Sequence, residues 1–428
     1  MSEVLAGSSI AQDGKMSGVY TSILKEYYSD QHVENLVYKN NPLFALMTKD
    51  EKFGGKYHPV PIQYGDNMSR SADFVTAQNK SKDQSAKYES FFIDSVENYQ
   101  VARISTKSIL QSQGDVAAFL PIATKEIDSA INNLTRDLAV GMYRSGYGER
   151  GQIKVGSAVT GATITFENPS DVTNFEVGMD IVAAAAIGTG NLRVLAVAGV
   201  AATITAVNRR VGYESITFNE HIDDIITAVA AGDYLFAQGD RTNAAALTKL
   251  CGLASWVPAT APSAGAPFWN VDRSVDSRLY GQAIDGTGMP IEEVLEDLDA
   301  LVCREGGDPD YAFMNPLDFR DFKKAVGSRV VLVNVKANAT IGFQGIEISS
   351  QKGTIKVLPD QNCPAGKIYL LQLDTFKLYS MGKVVRCIDL DGLSMLRIGT
   401  DDGVEIRYGS YSQVGCRAPG WNGVATIK

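Results

Sequence analysis

The chain has 428 residues, 45% hydrophobic and 21% charged, a globular composition long enough for about two to four domains. Forty Lys and Arg against 49 Asp and Glu give a net charge of −9, the wrong sign for a dedicated nucleic-acid binder. Three histidines, His32, His58 and His221, leave little material for imidazole metal sites or acid–base catalysis, so an enzyme is disfavoured.

Met1 to Lys15 has neither the basic start nor the apolar run of a signal peptide, and the expectation is a protein made and used without export. Tyr20, Ile23, Leu24, Tyr27 and Tyr28 recur at spacings of 3 and 4, which predicts a short amphipathic helix within an otherwise extended arm. An arm so poor in apolar residues has to lie on another surface.

From Gly54 to Ser105 two β-like runs flank a polar middle. The first, Lys56 to Tyr64, alternates so that His58, Val60, Ile62 and Tyr64 share a face. Pro59 and Pro61, two apart, remove two N–H groups from one side of that strand and make it an edge. The returning run spans Tyr88 to Ile104, and Gly65 to Lys87 between them predicts a flexible, polar tip carrying Lys80, Lys82 and Lys87. An isolated hairpin is marginal in water, so a protruding one implies a neighbouring surface.

Asp115 to Tyr143 predicts the longest helix, with Ile127, Ile131, Leu134, Leu138 and Met142 as its apolar stripe, Asp128, Asn132, Arg136 and Asp137 elsewhere on the wheel, and Gly146 and Gly148 as the stop. Residues 151–240 hold four basic residues against ten acidic ones. Short alternating runs at Thr163–Phe166, Leu192–Val197, Thr203–Val207, Ser215–Phe218 and Asp233–Phe236 predict a small β-barrel inserted into a larger domain. The apolar stretch Ile181 to Asn208 is broken by Gly188-Thr189-Gly190-Asn191 and reads as two strands, not a membrane helix. Beyond a Pro/Gly linker, a helix opens at Pro290 and stops at Gly306-Gly307, and Tyr311–Met314 forms a strand before a helix over Leu317–Ala325. From Gly345 onward the chain is strand after strand, so the fold class is α+β.

No motif completes a catalytic or ligand signature. Gly188-Thr189-Gly190 and Gly286-Thr287-Gly288 fall short of a phosphate loop, and Asp389-Leu390-Asp391-Gly392 lacks the spacing and the Glu of a calcium loop. Glu292, Glu293, Glu296 and Asp297 read as a solvated helix face. Cys251, Cys303, Cys363, Cys387 and Cys416 are odd in number and contain no CxxC, so they read as small buried residues in a reducing compartment. Asn67-Met68-Ser69, Asn79-Lys80-Ser81, Asn133-Leu134-Thr135 and Asn338-Ala339-Thr340 match glycosylation acceptors and carry little weight without a secretory signal. The expectation is no catalytic residue, no cofactor and no metal.

An arm and a hairpin that each need a partner, a long helix, an inserted barrel and a mixed core occur here in an order that resembles the major capsid protein of tailed bacteriophages, whose fold is shared with encapsulins and the herpesvirus capsid floor. Asn41-Pro42-Leu43-Phe44, Gly252-Leu253 with Asp272-Arg273-Ser274, Tyr311-Ala312-Phe313-Met314-Asn315-Pro316, and Gly345-Ile346-Glu347-Ile348 leading to Leu358-Pro359-Asp360 are similar to phage coat sequences. The resemblance implies an N-terminal arm at 1–52, an extended hairpin loop at 53–105, and the spine helix of a peripheral domain at 106–150, its helix over roughly 115–146. The inserted barrel occupies 151–240, and the axial domain with returning peripheral strands occupies 241–428.

It further implies a shell protein that self-assembles as pentamers and hexamers around double-stranded DNA, in a virion built in the host cytoplasm. The implied partners are a separate scaffolding protein, a portal protein and non-specifically bound packaged DNA, with no membrane. An encapsulin-like compartment is the nearest alternative. A carbohydrate-binding or adhesion protein is a more distant one, since Trp256, Trp269 and Trp421 all lie outside the β-rich insert.

Overall fold

In a computed structural model of the chain, residues 41–107, 122–197, 200–243, 246–327, 331–336, 342–388, 396–399 and 401–427 are described. Outside them lie the helix expected around Tyr20–Tyr28, His32, the start of the long helix from Asp115 to Pro121, Asn338-Ala339-Thr340 and the Asp389–Gly392 turn. The described residues form two compact units, one from 99–135 and 385–409, the other from 41–98, 136–384 and 410–427.

The chain enters the larger unit through a one-turn helix α1 (Pro42–Leu46) and strand β1 (Thr48–Asp50). Next come β2 (His58–Gly65), helix α2 (Phe74–Asp83) and β3 (Lys87–Ile93), with β2 and β3 pairing only with each other. Two features depart from the sequence reading. The polar tip holds a ten-residue helix, because Asp73 caps it by accepting from the Thr76 N–H at 2.8 Å. The returning run also breaks after Ile93, and its remainder, β4 (Val96–Ser105), pairs with a different strand.

Helix α3 (Ile122–Gly141) buries Leu134 and Leu138 of the expected stripe, and Met142 just beyond its end is buried too. Gly146 and Gly148 follow with φ of +90° and +81°, the left-handed turn the sequence requires of them. Arg136 and Asp137, placed off the apolar stripe by the wheel, are taken up in ion pairs.

Residues 149–237 carry β5 (Glu149–Gln152), β6 (Thr163–Thr165), β7 (Asp180–Ala184), β8 (Ala202–Asn208), β9 (Ser215–Phe218) and β10 (Tyr234–Ala237), hydrogen-bonded in the order β5-β10-β7-β8-β9-β6. The two end strands meet as well: Ile153 bridges Phe166, the Lys154 N–H donates to the Thr165 carbonyl at 3.0 Å, and the Glu167 N–H donates to the Gln152 carbonyl at 2.9 Å. The sheet therefore closes on itself around its own core, where Phe166 and Phe175 stack at 5.0 Å among Ile164, Ile181, Ile204 and Ile216. Leu192–Val197, expected as a strand, makes only isolated bridges at Leu192 and Leu195.

The remaining large sheet runs β11 (Gln282–Asp285), β21 (Gly423–Thr426), β16 (Lys367–Leu371), β12 (Tyr311–Met314), β15 (Thr354–Pro359), β14 (Gly342–Ser349), β13 (Val331–Lys336). Helices α4 (Ile291–Arg304) and α5 (Pro316–Val326) belong with it, and Val294, Leu295, Leu298 and Val302 of α4 join Phe322 of α5 in one core with Ala312, Ile355 and Ile368. β1 lies parallel to β17 (Phe376–Ser380), which pairs with the second half of β20 (Gly403–Cys416). In the smaller unit, the first half of β20 pairs with β18 (Arg386–Cys387) and β19 (Leu396–Arg397), and β4 pairs with β20. Ala102, Ile104, Ala130, Leu134 and Ile406 are buried apolar residues of this unit. Among the described residues no helix is long and apolar enough to cross a membrane.

Candidate intersubunit surface

The β2–β3 ribbon has two unlike faces. Register pairs Val60 with Phe91 and His58 with Ile93 on one face, and Pro59 with Phe92, Pro61 with Ser90 and Gln63 with Tyr88 on the other. The first face is buried: Val60, Phe91 and Ile93 are in the core, and Phe91 meets Trp256 edge-on at 5.1 Å. His58, the one histidine of this strand, stacks on Tyr379 at 4.2 Å, an aromatic contact and not a ligand position.

The second face is bare. Tyr88 is 65% exposed and Phe92 42%, and at the tip Phe74 is 79% and Val75 61% exposed. Helix α2 buries no residue, so among the described residues it gains little of the tertiary packing from which short helices take most of their stability. Lys80, Lys82 and Lys87 are all exposed around it. Beside β2 a groove is lined by Ile62, Gln63, Asp66, Arg278, Arg417 and Trp421. Phe74, Val75, Tyr88 and Phe92 thus gather large exposed apolar side chains on the ribbon and its tip, the kind of patch that marks interaction surfaces.

The closed sheet is fastened to the rest of the larger unit by buried charge. Arg150 pairs with Asp137 and, at 3.0 Å, with Asp240, while Lys249 reaches Asp137 at 2.9 Å, Asp240 at 2.8 Å and the Asn98 side chain at 2.7 Å. Arg144 pairs with Asp171 at 2.6 Å, and Arg136 with Glu176. Burial opposes the charge on Asp137, yet Arg150 and Lys249 outweigh it and hold its pKa down at about 2. Sequence reasoning missed this cluster because its members are far apart in the chain. The concentration of Arg and Asp at the borders of 151–240 is the one signal that points to it.

Where the chain enters the larger unit, the buried carboxylate of Asp360 accepts from the Leu43 N–H at 3.3 Å, the Tyr143 hydroxyl at 2.9 Å and the Asn362 N–H at 2.9 Å. Burial raises its pKa to about 6, although those donors pull the other way.

The remaining candidates fall into structural positions. Arg241 donates to the Thr189 and Gly190 carbonyls at 3.0 and 3.1 Å, and Gly286-Thr287 turns on the Asp285 carboxylate, which accepts from the Thr287 hydroxyl at 2.7 Å. Glu293, Glu296 and Asp297 are exposed on α4, with Glu292 half-buried. Cys251, Cys363 and Cys416 are buried with their thiols pushed up by desolvation, whereas Cys303 and Cys387 are half-buried, and none of the five is in a disulfide. His221, Asp223 and Asp224 cluster on the surface around a one-turn helix at Ile222–Ile225.

A family model described as SU10 major capsid protein matches residues 220–390. The chain resembles the major capsid proteins of tailed phages. Its fold is that of the cyanophage A-1(L) capsid asymmetric unit, with a TM-score of 0.51 at 12% identity over 95% of this chain and 97% of that one. A holo-SrpI encapsulin complex from Synechococcus elongatus PCC 7942 aligns with a TM-score of 0.46 at 10% identity, covering 95% of this chain and 94% of that one. The capsid of a native GTA particle gives 0.46 at 9% identity, covering 99% of each chain. No curated protein sequence matches the chain. The fold is thus the α+β fold of a capsid subunit, as the order of elements led us to expect.

Proposed function

We infer that the chain is a structural protein, a major capsid protein that self-assembles into an icosahedral shell enclosing the double-stranded DNA of a tailed phage. The observation that carries this reading is the match of residues 220–390 to the capsid family, joined to a capsid fold over nearly the whole chain. The β2–β3 ribbon with α2 is the extended loop that lies across a neighbouring subunit, α3 is the spine of the peripheral domain, and the closed sheet at 149–237 is an inserted domain. Of the stretch 1–52 expected as an arm, residues 42–50 pack within the subunit through α1 and β1, so the role of an arm threaded beneath another copy falls to the residues before them.

Each contact is modest, but heterologous contacts that close rings repeat many times, so small interface energies sum to a stable shell. A separate scaffolding protein and a portal complete the assembly in the host cytoplasm, and contact with the genome is non-specific and salt-sensitive.

Replacing residues 66–86 by an Asn-Gly turn tests the role of the loop. The shortened subunit should keep its circular dichroism and thermal transition and yet fail to form closed particles under the electron microscope. Normal particles would end the bracing role.

A further inference from the structure

We propose that the hairpin binds a second copy of this chain through the flat face carrying Pro59, Pro61, Tyr88 and Phe92 with Phe74 and Val75 at its tip, and that its free edge is closed to strand addition. The inference rests on the reading that the hairpin braces a neighbour, and adds how it does so. Two routes exist for a two-stranded ribbon to engage a partner: lending an edge for main-chain pairing, or laying a side-chain face against a surface.

The register decides between them. The Phe92 N–H donates to the Trp269 carbonyl at 3.2 Å, away from β2, so the Pro59–Phe92 pair exchanges no hydrogen bonds and the Pro59 nitrogen points outward from the ribbon. Pro61, two residues on and opposite Ser90, has the same orientation. The outer side of β2 therefore lacks donors at two successive outward positions, beside the groove where an extended segment would otherwise add. What the ribbon does offer is the exposed apolar face.

Charge selects the occupant. Residues 66–87 hold four basic residues against three acidic ones on a chain of net −9, so the body of another copy attracts the tip while another tip repels it. The contact is thus heterologous, hairpin to body.

Two variants test this in the assembling protein. Phe74→Ser with Tyr88→Ser should cut the yield of closed particles by about tenfold or more while leaving the subunit's thermal transition in place. In particles formed by Pro59→Ala with Pro61→Ala, whatever their yield, hydrogen exchange should find the new amides at positions 59 and 61 unprotected. Wild-type assembly by the first variant, or protected amides in the second, would overturn the face assignment. If the chain shortened at 66–86 also closes shells, the bracing reading itself falls; if only the Phe74/Tyr88 variant does, the bracing stands and the face is wrong.

Discussion

The closed sheet at 149–237 and the hairpin at 58–93 are both built of β-structure, but they solve opposite problems. The first joins its end strands, surrounds its own aromatic and aliphatic core and is tied down by buried ion pairs. The second buries one face at its base and, among the described residues, leaves the large side chains of the other face and a whole helix exposed. A region whose interactions are satisfied internally contributes to stability wherever the subunit is. A region with an unpartnered face becomes stable only against another copy, and this division of labour is what a shell subunit needs.

The contrast would break most visibly in the insert core. Phe175→Ala should cost about 3–5 kcal/mol, read as a lower urea midpoint, because it removes the ring stacked on Phe166 and leaves a cavity. Asp137→Ala strips Arg150 and Lys249 of one shared carboxylate and should cost about 3 kcal/mol.

Acid sharpens the same comparison through opposite signs. Asp137 is held at about 2, below its unfolded value near 3.8, so its contribution is present above pH 4 and lost as pH falls toward 2. Asp360 is raised to about 6, so the folded state takes up its proton first and gains stability as pH falls from about 6 toward 4. Asp360→Asn should flatten the upper part of the pH–stability curve and Asp137→Ala the lower part, measured by urea titration across pH 2 to 7.

Smaller effects belong to the hairpin. Asp73→Ala removes the cap of α2 and should loosen that helix, seen as faster amide exchange over 74–83 with the global transition unmoved. Phe74→Ser alone should change subunit stability by no more than about 0.5 kcal/mol while lowering particle yield. A stability loss of several kcal/mol there would mean that Phe74 packs within its own subunit.

Much of this was legible in the residues. The alternation of His58, Val60, Ile62 and Tyr64 marks the buried face of β2, the two prolines mark its edge, and the stripe from Val294 to Val302 marks α4, because periodicity is local and survives folding. Helix α2 was hidden by composition: Asn79, Lys80, Ser81 and Lys82 read as loop, and only the Asp73 cap with Thr76 argues for a turn of helix. The strand Phe376–Ser380 follows a one-turn helix and gives little warning, since its partners β1 and β20 lie at opposite ends of the sequence. The cluster of Asp137, Arg150, Asp240 and Lys249 left only a compositional trace at the borders of 151–240, because the contacts that join its two halves span about ninety residues or more. Pairing across a hundred residues leaves no period to read.

Electron cryomicroscopy of the purified full-length chain, alone and with a scaffolding protein, is the decisive measurement. Closed particles in which residues 58–93 of each subunit rest on the next copy, with Tyr88 and Phe74 buried at that contact, are expected. A monodisperse monomer at every concentration, with the hairpin folded back against its own body, would contradict the proposal.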